Sequence, residues 1–277
     1  MTRDKFPLSR RTALRTITGT ALVSVAGCLS TDGDPSPENT SASPSGKDII
    51  HRIAVEGTTL VIEYSSEVGL DRINLIQPNG ELFAQQETAA GSQQLSFELG
   101  TAYEPGEYTV TALSGGETLA ESSKLIRPEL HIRDVGLYRN NPNKPWDEIY
   151  GDTETDRLKN GEAYVTVENT GSGPDAIVEL SFSGDIPNPV EDPRGSGMYE
   201  TERVILPPGE ETDLFSNSFP FGSQSESGMG CSTDSNSGEF TVTIRTQVGG
   251  NEILNIFDVQ YSGSMDMSDC EVTISED

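Results

Sequence analysis

The sequence is poor in the residues on which many enzymes and metal sites depend. It has two histidines, three cysteines and one tryptophan among 277 residues. A blue-copper site needs two histidines and a thiolate, but His51 and His131 lie far apart and no Cys-x-His-x-Met run occurs near the C-terminus. No G-x-S-x-G nucleophile elbow is present either. We therefore predict no enzymatic activity and no cofactor, and we expect both histidines to face solvent at strand edges.

Basic and apolar residues are also scarce. Acids outnumber bases 45 to 18, and hydrophobic residues make up only 33% of the chain. Residues 1–27 hold five bases and one acid, so the other 250 residues carry a net charge of −31. Such a charge opposes compaction in dilute buffer but is screened at molar salt, where the Debye length is about 3 Å. Nucleic acid is an improbable partner because no basic patch exists.

The N-terminus is a targeting segment. Arg10 and Arg11 form a twin-arginine motif in Ser9-Arg10-Arg11-Thr12-Ala13-Leu14, followed by a weakly apolar run from Ile17 to Ala26. That run is too short to span a bilayer, which needs about 20 apolar residues. Residues 1–27 are therefore interpreted as an export signal.

Val25-Ala26-Gly27-Cys28 resembles a lipoprotein box, which implies cleavage before Cys28 and a lipid on its sulfur. The alternative is an ordinary cleaved signal with an incidental cysteine. Together with the acidic, lysine-poor composition, these features resemble an exported membrane lipoprotein of a halophilic archaeon. That resemblance implies a lipid-anchored protein facing the extracellular side of the cell membrane.

Residues 28–47 are predicted to be a disordered tether, because the Ser-, Pro- and Asp-rich run after Leu29 has almost no apolar residue. Asn39, in the only N-x-S/T sequon of the chain, is a candidate glycosylation site.

Alternating strands predict an all-β fold of two tandem sandwiches, at 48–127 and 128–277, and argue against a disordered acidic chain. Leu60, Ile62 and Tyr64 alternate with other residues, and turn dipeptides separate such runs. Pro105-Gly106-Glu107-Tyr108-Thr109-Val110 resembles the turn and strand of immunoglobulin-like modules of bacteria and archaea.

The second set of strands is predicted at 130–138, 162–169, 176–183, 202–206, 240–247, 252–261 and 271–275, with apolar rows such as Val178, Leu180 and Phe182. Val167-Glu168-Asn169-Thr170-Gly171 and Leu206-Pro207-Pro208-Gly209-Glu210 resemble CARDB-like sandwich domains. That resemblance implies a strand-to-strand turn at Asn169 and a turn before an edge strand at Pro207. Insertions at 139–161, 184–201 and 217–238 depart from the family.

Cys231 and Cys270 remain once Cys28 is lipidated, and an even remainder in an exported protein predicts a disulfide. A thiolate metal site is the weaker alternative, because no C-x-x-C occurs and no histidine follows Cys231.

The insertion 139–161 holds two further candidates. Asp152, Glu154 and Asp156 could converge on Ca²⁺, which prefers oxygen ligands, or simply form a solvated acidic loop. Trp146 could contact a partner or fold over one end of the sandwich.

These features predict a membrane-anchored, non-enzymatic module that binds a protein, a glycan or another cell-envelope component. The alternative is an accessory lipoprotein subunit of a membrane transporter or enzyme complex. Hydrolase activity is the least favoured class, because no pair of nucleophile and base can be named.

Overall fold

The computed structural model describes residues 49–143, 161–222, 229–231, 236–263 and 271–276. Within these ranges the chain is all-β, with two single-turn 3-10 helices, Ser66–Val68 and Tyr138–Asn140. The strands are β1 (Ile50–Glu56), β2 (Thr59–Tyr64), β3 (Arg72–Ile76), β4 (Leu82–Glu87), β5 (Gln94–Glu98), β6 (Gly106–Ser114), β7 (Glu117–Ile126), β8 (Leu130–Leu137), β9 (Ala163–Asn169), β10 (Asp175–Gly184), β11 (Val204–Leu206), β12 (Glu211–Phe215), β13 (Asn236–Thr246), β14 (Glu252–Ser262) and β15 (Glu271–Glu276). The described part contains no helix long and apolar enough to cross a membrane.

Strands β1–β7 form the first sandwich. One sheet has the order β1-β2-β5 and the other β4-β3-β6-β7, and all pairings are antiparallel. Successive side chains of a strand point to opposite faces, so the alternation in β6 buries Tyr108, Val110 and Ala112 while Thr109 lies half-buried on the other face. Leu60 and Ile62 of the opposite sheet complete the same core.

Strands β8–β15 form the second sandwich. A three-stranded sheet, β12-β9-β8, packs against a five-stranded sheet, β11-β10-β13-β14-β15. Val165 and Val167 of β9 meet Phe240 and Val242 of β13 in one core cluster. The ring of Phe240 stacks on Phe257 with centroids 5.6 Å apart.

One predicted apolar row is wrong at its first position. The register between β10 and β13 shifts between Ile177 and Glu179, which marks a β-bulge. A bulge adds one residue to one strand and so changes which side chains face inward. Ile177, rather than Val178, is therefore fully buried in line with Leu180 and Phe182.

The turn after β9 contacts the end of the first sandwich, because the backbone N–H groups of Ser172 and Gly173 donate to the Arg127 carbonyl. Asn169 is fully buried, and its Nδ2 donates to the carbonyls of Gly173 and Leu206 while its Oδ1 accepts from the backbone N–H groups of Glu129 and Gly171. The strand-to-strand turn expected at this motif is confirmed. The same side chain also fixes the segment that leads into β8.

Tyr103 of the first sandwich contacts this turn. Its hydroxyl donates to the carbonyl of Pro174 at 3.0 Å. Gly173 is required at this contact, because a Cβ there would lie 2.1 Å from the Tyr103 oxygen. Thr101 and Gln247 add a side-chain hydrogen bond of 3.1 Å between the two sandwiches.

Candidate functional site

Several residues singled out from the sequence lie outside the described ranges, so their roles stay predictions. They are Arg10, Arg11, Cys28, Asn39, Trp146, Asp152, Glu154, Asp156 and Cys270. Cys231 is described: its side chain is 8% exposed and belongs to the core of the second sandwich.

The two histidines lie on edge strands, as expected. His51 is exposed on β1, and His131 lies on β8 with its side chain 42% exposed. The Nε2 of His131 is 3.1 Å from the hydroxyl oxygen of Thr170. The described residues contain no group of three or more His, Cys, Asp or Glu side chains that could hold a metal ion.

The insertion predicted at 139–161 lies between β8 and β9 and is called the β8–β9 insertion. It begins at a segment that is hydrogen-bonded to the second sandwich. Asn141 is 1% exposed, and its Nδ2 donates to the carboxylate of Asp213 on β12 at 3.1 Å. Asn143 and Thr166 donate to the same carboxylate at 2.9 and 2.7 Å. Burial alone would raise the pKa of Asp213, but these three hydrogen bonds outweigh it and hold the pKa below its ordinary value.

At the other end of this insertion, the carbonyl of Gly161 accepts from the backbone N–H of Phe221 at 3.0 Å. Both ends of the β8–β9 insertion are therefore held by hydrogen bonds to the second sandwich.

The β10–β11 insertion, residues 185–203, covers a sheet edge. Val190 exchanges two backbone hydrogen bonds with Phe182, and Ser196 accepts one from Leu180. Sheet edges covered in this way cannot pair with other chains. Gly197 permits the close approach, because its φ is +74° and a Cβ there would lie 2.0 Å from the Leu180 carbonyl oxygen.

The same insertion crosses to the other sheet. Met198 forms a β-bridge with Ser216, just after β12, and the backbone N–H of Tyr199 donates to Phe215 at 2.7 Å. Residues 196–199 therefore close the side of the sandwich between the edge of β10 and the edge of β12. We call this closure the seam.

An open cavity of about 670 Å³ lies at the seam, lined by residues 194–196, 198–202 and Asn217. Met198 is buried, Tyr199 is half-buried, and Arg194, Glu200 and Glu202 are exposed. We call it the seam cavity. Its volume falls within the range of small-molecule sites.

Some polar side chains of the seam cavity are hydrogen-bonded within the protein, and others make no such bond among the described residues. The Ser196 hydroxyl donates to Thr201 and accepts from the N–H of Met198. Within the described residues, the side chains of Arg194, Glu200 and Glu202 make no hydrogen bond or ion pair, and the Oδ1 of Asn217 accepts none. Arg52, Arg133 and Arg245, in contrast, each pair with at least one glutamate.

Backbone strain is concentrated at the same place. Among the described residues other than glycine, Glu200 alone has a positive φ, at +48°. A left-handed conformation costs an L-residue about 1–2 kcal/mol. Such strain is found preferentially at functional sites.

The outer face of the five-stranded sheet has two further features. A polar cavity of about 480 Å³ lies over β13, β14 and β15, where Glu239 and Asp258 face each other across the strands. Leu254 and Ile256 are 58% and 56% exposed on β14, in the part of that strand with which β15 does not pair.

The sequence motifs did not indicate the seam cavity. The sequence predicts a long insertion at 184–201, but nothing in its composition shows that it bridges two sheet edges. A functional reading of Arg194-Gly195-Ser196-Gly197 could have come only from its two glycines, which permit close backbone approach.

No protein-family model matches the sequence. No curated protein matches it either. Among solved structures, the chain is similar to a two-domain fibronectin type III segment of chicken tenascin, with 14% identity, 83% of this chain and 100% of that chain covered, and a TM-score of 0.27.

The chain is also similar to a glycosyl hydrolase family 2 member from Bacteroides cellulosilyticus (16% identity, 75% of this chain covered, TM-score 0.21). A β-glycosidase from Bacteroides vulgatus gives 15% identity, 76% coverage of this chain and a TM-score of 0.23. The chain spans about a quarter of the length of these two enzymes, 25% and 24%.

Proposed function

We propose that this protein is a membrane-anchored, non-enzymatic binding module on the extracellular side, with its contact surface on the second sandwich. The seam cavity carries the proposal. It combines an aromatic ring, open polar groups and a strained residue on a rigid scaffold, which are the features of a ligand site. The lipid anchor predicted at Cys28 and the export signal predicted before it support the location.

The junction supports the same function. Tyr103 donates a buried hydrogen bond to Pro174, and the N–H groups of Ser172 and Gly173 donate to the Arg127 carbonyl, so the second sandwich is held against the first. Trp146, Asp152, Glu154 and Asp156 fall between the two ends of the β8–β9 insertion in the sequence, and their roles stay predictions. A tethered module with a fixed orientation loses less entropy when it binds a partner at the cell surface.

The location and the binding role can be tested together. Fractionation of cells should place the wild-type protein in the membrane fraction, and Cys28→Ser should release it to the medium. Cross-linking on intact cells should capture a partner with wild type and less of it with Tyr199→Ala. Firm membrane retention of Cys28→Ser would contradict the anchor, and undiminished capture by Tyr199→Ala would contradict the site.

The accessory-subunit alternative is favoured by a different observation, the exposed pair Leu254 and Ile256 on the open part of β14. An extended strand can add to such an edge through backbone hydrogen bonds. Glu252 and Asp258 flank the pair and favour a partner strand with apolar residues between basic ones. Ile256→Lys should then abolish co-purification with a membrane complex, whereas Tyr199→Ala should leave it unchanged.

A further inference from the structure

We propose that the seam cavity binds an uncharged saccharide of the cell envelope. This ligand class presupposes the binding function proposed above and makes it specific. It follows from the charges of the cavity wall, the aromatic side chain in that wall and the backbone of Glu200.

The charges of the wall have mixed sign. Arg194 supplies one positive charge, and Glu200 and Glu202 supply two negative ones. An anionic ligand would meet the two carboxylates, and a cationic ligand would meet the guanidinium, so each is disfavoured by part of the wall. A neutral molecule avoids both penalties and can use all three groups as hydrogen-bond partners.

The hydrogen-bonding groups match a polyol. The guanidinium of Arg194 offers several donors in a fixed fork, and the carboxylates and the Asn217 Oδ1 offer acceptors. Asn217 is held in place, because its Nδ2 donates to the Arg194 carbonyl at 2.9 Å. Adjacent hydroxyls of a sugar are each both donor and acceptor, which suits a wall that presents both kinds.

The apolar part of the wall completes the match. Tyr199 is half-buried beside Met198, which is 3% exposed. An aromatic ring presents a flat apolar face with a polar tip, and a pyranose ring has a matching face of C–H groups. Met198, which also lines the cavity, packs in the core of the second sandwich and so fixes the backbone next to Tyr199.

A salt-rich medium favours this recognition. Attraction between charges is largely screened at molar salt, whereas ring contacts and short hydrogen bonds to a neutral ligand are screened much less. A strongly acidic module can therefore keep its affinity for a neutral saccharide in such a medium.

Glu200 gives the proposal a distinctive test. Glycine adopts a positive φ without strain, so Glu200→Gly should raise the thermal midpoint. If the carboxylate binds the ligand, the same change should weaken binding, a stability–function trade-off. A residue with a purely structural role would not show this opposition.

The experiment uses the full chain purified from membranes in detergent and salt, applied to an array of neutral hexose oligosaccharides, uronic-acid oligosaccharides and amino-sugar oligosaccharides. We expect retention of neutral oligosaccharides, followed by titration of the best one. Tyr199→Ala and Arg194→Ala should each weaken binding about tenfold, the effect of losing a hot-spot side chain. Phe219→Ala and Arg127→Ala, exposed residues outside the cavity, serve as matched controls.

Neutral-saccharide binding that Tyr199→Ala and Arg194→Ala leave intact would overturn the site. Preference for the charged oligosaccharides, or retention of none, would overturn the ligand class. If no saccharide is retained but wild type still captures a cell-surface partner that Tyr199→Ala loses, the proposed function stands and the saccharide inference falls. If wild type captures neither, both fall.

Discussion

The backbone N–H of Val248 donates to the Oδ1 of Asp175 at 2.8 Å, while the Val248 side chain packs in the core of the first sandwich. Val248 follows β13, and Asp175 begins β10, so both belong to the second sandwich by sequence. One turn of the second sandwich thus contributes an apolar side chain to the first. Asp175 holds that turn in place from a position only 1% exposed.

The first prediction concerns cooperativity. Val248→Ala removes a side chain that is 2% exposed in the first core, and we expect a loss of about 1–3 kcal/mol in the free energy of unfolding. Because Val248 couples two cores, the single calorimetric transition expected of wild type should separate toward two. Leu254→Ala, on a side chain that is 58% exposed, is the control and should change little. Equal effects of both changes would contradict the coupling.

The second prediction concerns Asp175 and pH. Burial raises its pKa, although the backbone N–H groups of Val248 and Ala176 oppose the shift. With a raised pKa, protonation stabilises the folded state below the ordinary value of 3.8, and this contribution is lost as pH rises through the folded pKa. Asp175→Asn stays neutral and keeps an Oδ1 for both N–H groups. Its stability relative to wild type should therefore rise as the pH increases from 3.8 through the raised pKa of the folded state.

Urea unfolding at several pH values measures this difference. Asp175→Ala is the comparison, because it removes the acceptor and leaves two buried N–H groups unsatisfied. We expect it to cost about 2–4 kcal/mol at every pH. A difference between Asp175→Asn and wild type that stays constant with pH would exclude the raised pKa.

The strands of the second sandwich could be predicted because their apolar residues alternate cleanly. Phe240, Val242 and Ile244 are all buried in β13 as their spacing indicates. β13 begins at Asn236, four residues earlier than predicted, because the polar residues at its start carry no apolar alternation. Periodicity does not predict β12, Glu211–Phe215, since only Leu214 of its five residues is buried, but the edge strand implied after the turn at Pro207 is confirmed there.

The junction and the seam cavity could not be predicted, because both depend on contacts between distant segments. Gln247-Val248-Gly249-Gly250 has the composition of an exposed turn, and nothing local shows that Val248 enters another core. Glu200 carries no sequence signal for a positive φ, since its conformation follows from the crossing of the insertion between two sheets. Periodicity reports which face of a strand is buried, but not which loop closes its edge.

The third prediction concerns Asp213, whose contribution to stability changes with pH in the opposite direction to that of Asp175. Its lowered pKa contributes stability above the ordinary value of 3.8, which is lost as pH falls through the folded pKa. Asp213→Ala removes the acceptor for Asn141, Asn143 and Thr166, and we expect a loss of about 1–3 kcal/mol near pH 7. The gap from wild type should shrink below about pH 4. Thermal unfolding across this pH range tests the prediction, with Asp192→Ala, at an exposed position, as control.

The fourth prediction is the Cys231–Cys270 disulfide. Cys231 lies in the core against which Val272 also packs, and Val272 follows Cys270 by two positions in the sequence. The bridge would close about 40 residues and stabilise the fold by about 3–4 kcal/mol in the chain-entropy model. Non-reducing peptide mapping of protein taken from outside the cell should recover the linked peptides. Alkylation of both thiols without reduction would disprove the pairing.

The last prediction links the acidic composition to one pair of side chains. Glu239 and Asp258 are exposed and directly opposite on β13 and β14, where like charges destabilise the sheet. Stability should rise with salt, because screening weakens this repulsion and that of the chain as a whole. Asp258→Lys should add about 0.5–1 kcal/mol at roughly 0.1 M salt and much less at about 2 M. Glu271→Lys makes the same change of net charge on the neighbouring strand β15 but faces Ser262, so it separates the effect of the pair from that of net charge. Thermal midpoints of the three proteins at both salt concentrations decide the matter: equal gains from the two lysines would assign the effect to net charge alone, and a wild-type midpoint independent of salt would contradict the prediction entirely.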